Sequence, residues 1–301
     1  MAVRISDSQS AAGGLPDFIA VGPPRTGTTW LHGILYRCAC LPEHTKETYF
    51  FDTFYAKGLD WYRAYFNHCG ATQPIGEVAP TYFPYPQVRA RIARDLPGRK
   101  IVCTFRDPVS RAYSWYRLMH REGRVRVGFE EAVLHGDDPE LREANRYAFH
   151  LAEWMGACGE QNVGVFFYDD LVTDTQSFAD AVLNFLGLPR LEITPDVASY
   201  LIKNEANEDS RNHVVAYWAW RFMMWLKSHR AERSVNRLRR IGFWRACFES
   251  GPQFRPLSAD VESRLRDFFA PEVEALEKMV GRDLSAWKMP STAWVRTQAA
   301  R

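Results

Sequence analysis

The sequence carries no Lys where a glycine-rich phosphate loop would need one and no cysteine pair at C-x-x-C spacing. It also has no apolar run long enough to cross a bilayer, and almost no net charge. Each absence excludes something. In GPPRTGTTW, Thr28 stands where G-x-x-x-x-G-K-[ST] requires Lys, so a nucleoside triphosphate with magnesium is not the favoured ligand. Lys and Arg total 38 against 36 Asp and Glu, a net charge of +2, so the chain lacks the basic body of a typical nucleic-acid binder and no nucleic acid partner is expected. The six cysteines are scattered and no second ligand pair accompanies Cys38 and Cys40, which predicts free thiols, no bound metal and a reducing cytoplasm. The first sixteen residues lack the apolar core of a signal peptide and are read as a loose tail, with a second loose tail over 291–301. No repeat or low-complexity tract divides the remaining 17–290, read as one domain.

What is present is organised around DFIAVGPPRTGTTWLHGILY, residues 17–36: a β-branched apolar run, a turn with Gly22 and Gly27, then a helical pattern. Gly22 and Gly27 let the backbone wrap close to an anion, and the amides of Thr28, Thr29 and Trp30 would point at it from the start of the helix. Arg25 is the only cation of the loop. Taken alone, the stretch also admits a plain glycine-proline turn and helix cap.

A second candidate begins at Lys100, in KIVCTFRDPVSRAYSWY. Ile101 to Phe105 reads as a buried parallel strand, with Asp107 as the N-cap and Pro108 as the first residue of the following helix. Arg106 would lie at the carboxyl end of that strand, where ligands bind in open α/β sheets, and Ser114 two turns into the helix; together they could pinch a phosphate. The alternative gives Arg106 an ion pair with Asp107 and leaves Ser114 exposed.

Elsewhere, residues 75–85 read as a short strand and loop, and a helix follows from Pro86 to Leu96 with Arg89, Arg91 and Arg94 on a solvated face. NVGVFFYDDL is a further strand and DTQSFADAVLNFLGLP a helix that stops at Gly187. Strand and helix in alternation predict an α/β fold: a P-loop-like parallel sheet flanked by helices on both faces, with a helical C-terminal region. Residues 203–212 read as a loop. Residues 213–250, Trp-rich and then strongly basic, form either a helical insertion or lid packed on the core or a surface for peripheral membrane contact through 213–248. Near the end, Ser258 is an N-cap and Pro271 splits the pattern into two helices.

PPRTGTTW and FRDPVSRAYSWY together resemble the paired signatures of sulfotransferases that use 3′-phosphoadenosine-5′-phosphosulfate (PAPS). The resemblance implies donor binding by Arg25, Thr26, Gly27, Thr28, Thr29 and Trp30 at the phosphosulfate end, and by Arg106 and Ser114 at the 3′-phosphate, with no metal. KETYFFDTFYAKGLDWY is similar to the segment after the loop in heparan sulfate N- and 3-O-sulfotransferases and implies Glu47 as catalytic base, with Arg25 as the catalytic cation and His32 and His44 in reserve. Three positions depart from that type: Val78 stands in place of a lysine, Tyr49 in place of a histidine, and only Arg255 is available for a C-terminal donor loop. The implied acceptor is a hydroxyl or amine of a glycan, lipid or small molecule, with Trp218, Trp220 and Trp225 as candidate contacts for an apolar one. Two other classes stay open: a P-loop kinase or nucleotide hydrolase, and a non-catalytic nucleotide-binding or membrane-peripheral module.

Overall fold

The computed structural model describes residues 14–136, 138–194, 208–249 and 251–289. The terminal tails therefore lie wholly or largely outside the described residues, as do 203–207 of the polar loop. In chain order the principal elements are β1 (Phe18–Gly22), α1 (Thr28–Cys38), β2 (Gly76–Val78), α2 (Pro86–Asp95), β3 (Lys100–Phe105), α3 (Pro108–Arg121), α4 (Tyr147–Cys158) and β4 (Val163–Phe167). They continue with α5 (Thr175–Leu186), α6 (His213–Ser228), α7 (Glu232–Arg240) and α8 (Ala259–Val280).

The four strands form one parallel sheet in the order β2-β1-β3-β4, with Ile19 opposite Ile101 and Cys103 opposite Val165. Their alternation divides the core between the two faces, because successive strand side chains point in opposite directions. Phe18, Ala20 and Val102 pack with Trp30 and Ile34 of α1 and Phe178 and Val182 of α5 on one face. Ile19, Val21, Ile101 and Cys103 pack with Leu151 and Trp154 of α4 and Val273 of α8 on the other. The expected two-sided parallel sheet is what the chain forms. From β1 the chain crosses to β2 on one side, and from β3 it crosses to β4 on the other. The crevice at the carboxyl ends of β1 and β3 is thus a topological switch point, where open sheets bind ligands.

Three expectations are corrected. Pro271 does not split the C-terminal pattern: α8 runs unbroken from Ala259 to Val280. Leu265, Phe269, Val273 and Leu276 are all buried on one stripe, and such burial at about 1.5–3 kcal/mol per side chain outweighs the ~3 kcal/mol cost of an interior proline. Ser258 occupies the N-cap position but makes no side-chain cap. Second, Cys40 and Cys69 form a disulfide across Cα atoms 5.7 Å apart. The chain at Cys40 runs beside Ile75 like an extra strand, exchanging Cys40 N to Pro74 O (2.8 Å) and Gly76 N to Cys40 O (2.9 Å), and so comes close to Cys69. This pair removes the reasoning from free thiols to a reducing compartment. Third, α2 has no wholly solvated arginine face: Arg89 is buried with Glu153 at 2.9 Å, and Arg91 stacks 4.3 Å above the Tyr55 ring.

Candidate functional site

At the end of β1 the chain turns with Gly22 at φ 87, Arg25 at φ 71 and Gly27 at φ 87. A left-handed arginine is unusual, and such conformations gather at functional sites. A Cβ on Gly22 would lie 2.7 Å from the Pro80 Cα and 2.9 Å from its carbonyl oxygen, so the turn requires glycine there. Thr26 is fully buried and fastens the loop, donating to Pro23 O (2.7 Å) and bonding the Thr104 hydroxyl (2.6 Å). Its side chain is a staple that holds the loop to β3. No side chain caps the start of α1, leaving that end to receive an anion. Thr29 is exposed there, while the Trp30 ring is buried against Phe178.

The second segment comes to the same place. Asp107 caps α3 by accepting from Ser110 N at 2.6 Å, with Pro108 in the first turn. Its partner is not Arg106 but Arg266 of α8, at 2.6 Å. Arg106 instead donates to the Arg25 carbonyl (3.3 Å) and lays its guanidinium 4.5 Å from the Tyr168 ring centre. Ser114 is not exposed: it is buried, and its hydroxyl accepts from Arg25 Nε at 2.8 Å. The two segments are therefore joined by hydrogen bonds between Thr26 and Thr104, from Arg106 to the Arg25 carbonyl and from Arg25 to Ser114.

Glu47 arrives from the segment after α1. Its carboxylate is 3.1 Å from Lys46 Nζ, which also donates to the Thr28 hydroxyl at 3.3 Å, so Lys46 links the candidate base to the phosphate loop. Arg25, Gly27, Thr28, Thr29, Lys46, Glu47 and Arg106 line one cavity of about 740 Å³, within the usual range for small-molecule sites. Thr26 and Ser114 stand behind that wall. Of the reserve bases, His32 is pushed down to about 4, by burial and then by Lys46, so it is neutral at neutral pH. His44 is exposed at the rim and bonded by Arg233 (3.0 Å).

Several wall residues escaped the sequence reading because nothing local marks them. Glu140 and Glu122 are buried at the cavity; burial pushes the Glu140 carboxyl up to about 8 and raises Glu122. Lys227 reaches the cavity from α6, and burial holds its ammonium down to about 8. Val78 is buried in the sheet. Its neighbour Glu77, accepting from Thr48 N (2.9 Å), the Thr48 hydroxyl and the Tyr62 hydroxyl (both 2.6 Å), is raised by burial to about 7. Arg255 lines a different hollow, beside Tyr113 and Phe254, and is not part of this wall. Of the three tryptophans, Trp220 faces the cavity, whereas Trp218 (63% exposed) and Trp225 (55% exposed) face outward. Among the described residues, Trp220 alone of the three lines this cavity.

Two groups among the described residues have metal-ligand chemistry. In the Cys40, His68 and Cys69 group both thiols are consumed by the disulfide. In the other, His120 and His213 flank Asp209 at 3.1 and 3.6 Å, away from this cavity.

Comparison with known proteins gives a consistent picture. The sulfotransferase domain family matches residues 15–217. A bifunctional heparan sulfate N-deacetylase/N-sulfotransferase of Mus musculus is 29% identical over 195 residues, which cover 58% of this chain and 22% of that protein. A membrane-associated sulfotransferase of Dictyostelium discoideum is 34% identical over 108 residues, 35% of this chain and 23% of that one. The crystal structure of a sulfotransferase from Alicyclobacillus acidocaldarius shares the fold, with a TM-score of 0.66 at 21% identity over 92% of this chain and 100% of its own. The chain spans about a fifth of the length of the curated relatives it matches.

Proposed function

The chain belongs to the sulfotransferase domain family, and from that premise we propose that it transfers a sulfuryl group from PAPS to a hydroxyl or amine of a glycan, lipid or small-molecule acceptor, releasing adenosine 3′,5′-bisphosphate. The observation that carries this reading is the Arg25 to Ser114 hydrogen bond, which brings both phosphate segments to the switch-point crevice that Glu47 also lines. The residues fit such a donor: an uncapped helix start, a loop that admits close approach, and the cations Arg25, Lys46 and Arg106 on one cavity.

In this reading Glu47 takes the proton as the acceptor oxygen or nitrogen bonds to sulfur and the bond from sulfur to the 5′-phosphate oxygen breaks. Arg25, the α1 amides and Thr28 stabilise the charge left on that departing oxygen. Such transfers proceed through loose transition states, so positioning and electrostatics supply most of the rate; one preorganised contact of this kind is worth about 3 kcal/mol, or ~100-fold. Lys46 touches both Glu47 and Thr28, which sets the base and the leaving-group pocket in one frame.

The partner surface is proposed on the outer side of α6 and α7. Trp218, Phe222 and Trp225 follow helical spacing and are exposed. Arg221 of α6, Arg230, and Arg233, Arg237 and Arg240 of α7 are exposed as well, a composition suited to an anionic lipid surface. Vesicles containing anionic lipid should bind the protein at low salt and lose it on Trp218→Ser with Trp225→Ser; equal binding by that variant contradicts the assignment.

The test of the activity is transfer of radiolabelled sulfate from PAPS to a panel of sugars, phenols and lipids. Wild type should label at least one class, and Glu47→Gln should lose 100-fold or more while still binding the bisphosphate. Turnover of ATP with magnesium, and none of PAPS, would overturn the reading in favour of a nucleotide hydrolase.

A further inference from the structure

Two residues from Glu47, Tyr49 lines the same cavity, and the Glu47 carboxylate is among the groups that, after burial, raise the Tyr49 hydroxyl. Tyr49 is held there in an uncommon way. Its backbone is left-handed, at φ 55 and ψ 28, directly before a single turn of π-helix over Phe50–Phe54. A bulky residue in that conformation is costly and persists only where its surroundings enforce it, and π turns gather at functional sites. Here the enforcement is visible on both sides. Phe50 and Phe51, next in the chain, are fully buried, and Phe50 stacks on Tyr62 at 4.5 Å. On the face of the Tyr49 ring rests the ammonium of Lys227, 4.3 Å from the centroid, delivered by α6.

We propose that Tyr49 and Lys227 are positioning residues for the base: the Tyr49 hydroxyl aims the Glu47 carboxylate into the cavity, and the Lys227 cation clamps the Tyr49 ring. The docking of α6, a wall of the cavity, is thereby transmitted to Glu47. The inference rests on Glu47 being the base. It gives a role to a half-buried lysine on α6 that has no ion pair with a carboxylate among the described residues.

The charges that face Lys227 set the pH at which the clamp fails. Burial lowers its pKa to about 8; Glu47, Glu232 and Glu122 oppose that shift, and Arg239 adds to it. Below about pH 8 the ammonium is charged and holds the ring; above it the cation–π contact is lost.

The test is steady-state turnover of PAPS by the full chain, read as bisphosphate release with phenol and with glucosamine as probe acceptors, across pH 6 to 10. Tyr49→Phe keeps the ring and removes the hydroxyl; kcat should fall tenfold or more, with the KM for PAPS and the Kd for bisphosphate within twofold of wild type. Lys227→Met should lower kcat several-fold, and Lys227→Arg should restore it. Wild type should show an alkaline limb near pH 8 that moves upward in Lys227→Arg, whose guanidinium stays charged; a merely structural lysine would not move it. Full kcat in Tyr49→Phe together with an inactive Glu47→Gln would overturn the positioning role and leave the base in place. Full activity of Glu47→Gln, or no turnover by a wild type that binds bisphosphate, would overturn the base and the inference with it.

Discussion

Replacing Ser114 by Ala removes one oxygen and tests whether the two phosphate segments act as a unit. The Ser114 hydroxyl is buried behind the cavity wall and accepts from Arg25 Nε at 2.8 Å; the donor role proposed for it requires its own proton to reach a phosphate oxygen. A hydrogen bond to a charged group is worth about 1.5–3 kcal/mol, so Ser114→Ala should weaken bisphosphate binding about 10- to 100-fold at 1.4 kcal/mol per decade. A second consequence follows from the Arg25 contact. With the Ser114 contact gone the guanidinium has one restraint fewer, and binding must order it further, at up to roughly 0.5–1.5 kcal/mol for a rotamer-rich side chain. That share vanishes when Arg25 is already Ala. The two substitutions should therefore be non-additive, the double variant being tighter than the sum of the singles by about 0.5 kcal/mol or more. Calorimetric titration of wild type, both single variants and the double variant gives the cycle. A Ser114→Ala affinity within twofold of wild type, or strict additivity, would refute the reasoning.

Two further outcomes follow from the structure. Glu77 keeps its proton to about pH 7 when folded and only to the ordinary 4.5 when unfolded. The stability this gives is fully present below the unfolded value and is lost as pH rises towards 7, a loss of up to about 3 kcal/mol. Thermal unfolding from about pH 5 to about pH 8 should show Tm falling in wild type and falling less in Glu77→Gln; parallel profiles would contradict this. Gly27→Ala should cost about 1–3 kcal/mol and at least tenfold in bisphosphate affinity, since φ is 87 and the new Cβ would lie 2.6 Å from Leu171 Cδ2; denaturant unfolding and the same titration check both.

The parts of this fold written in short stretches were legible from sequence. β1, its glycine turn and α1 follow one another within 21 residues, from Phe18 to Cys38, and Asp107 and Pro108 announce α3 through local capping chemistry. What the sequence hid are contacts between distant elements. No spacing shows that Arg25 bonds Ser114, that Asp107 pairs with Arg266, or that Lys227 lies on Tyr49. Pro271 misled because local propensity was outweighed by a buried stripe on α8. Cys40 and Cys69 meet only because the chain at Cys40 runs alongside Ile75. The composition of α6 was readable but its orientation was not, so Trp220 could not be told apart from Trp218 and Trp225.

The central claim is that the crevice between β1 and β3 is a donor site for an adenosine bisphosphate. The most direct measurement is calorimetric titration of the purified protein with adenosine 3′,5′-bisphosphate in the absence of divalent metal, for wild type and Arg106→Ala. The account predicts saturable one-to-one binding by wild type that weakens about 100-fold or more in the variant, as expected when a charged phosphate contact is removed. Folded wild type that does not bind, or an Arg106→Ala protein that binds equally well, would contradict it.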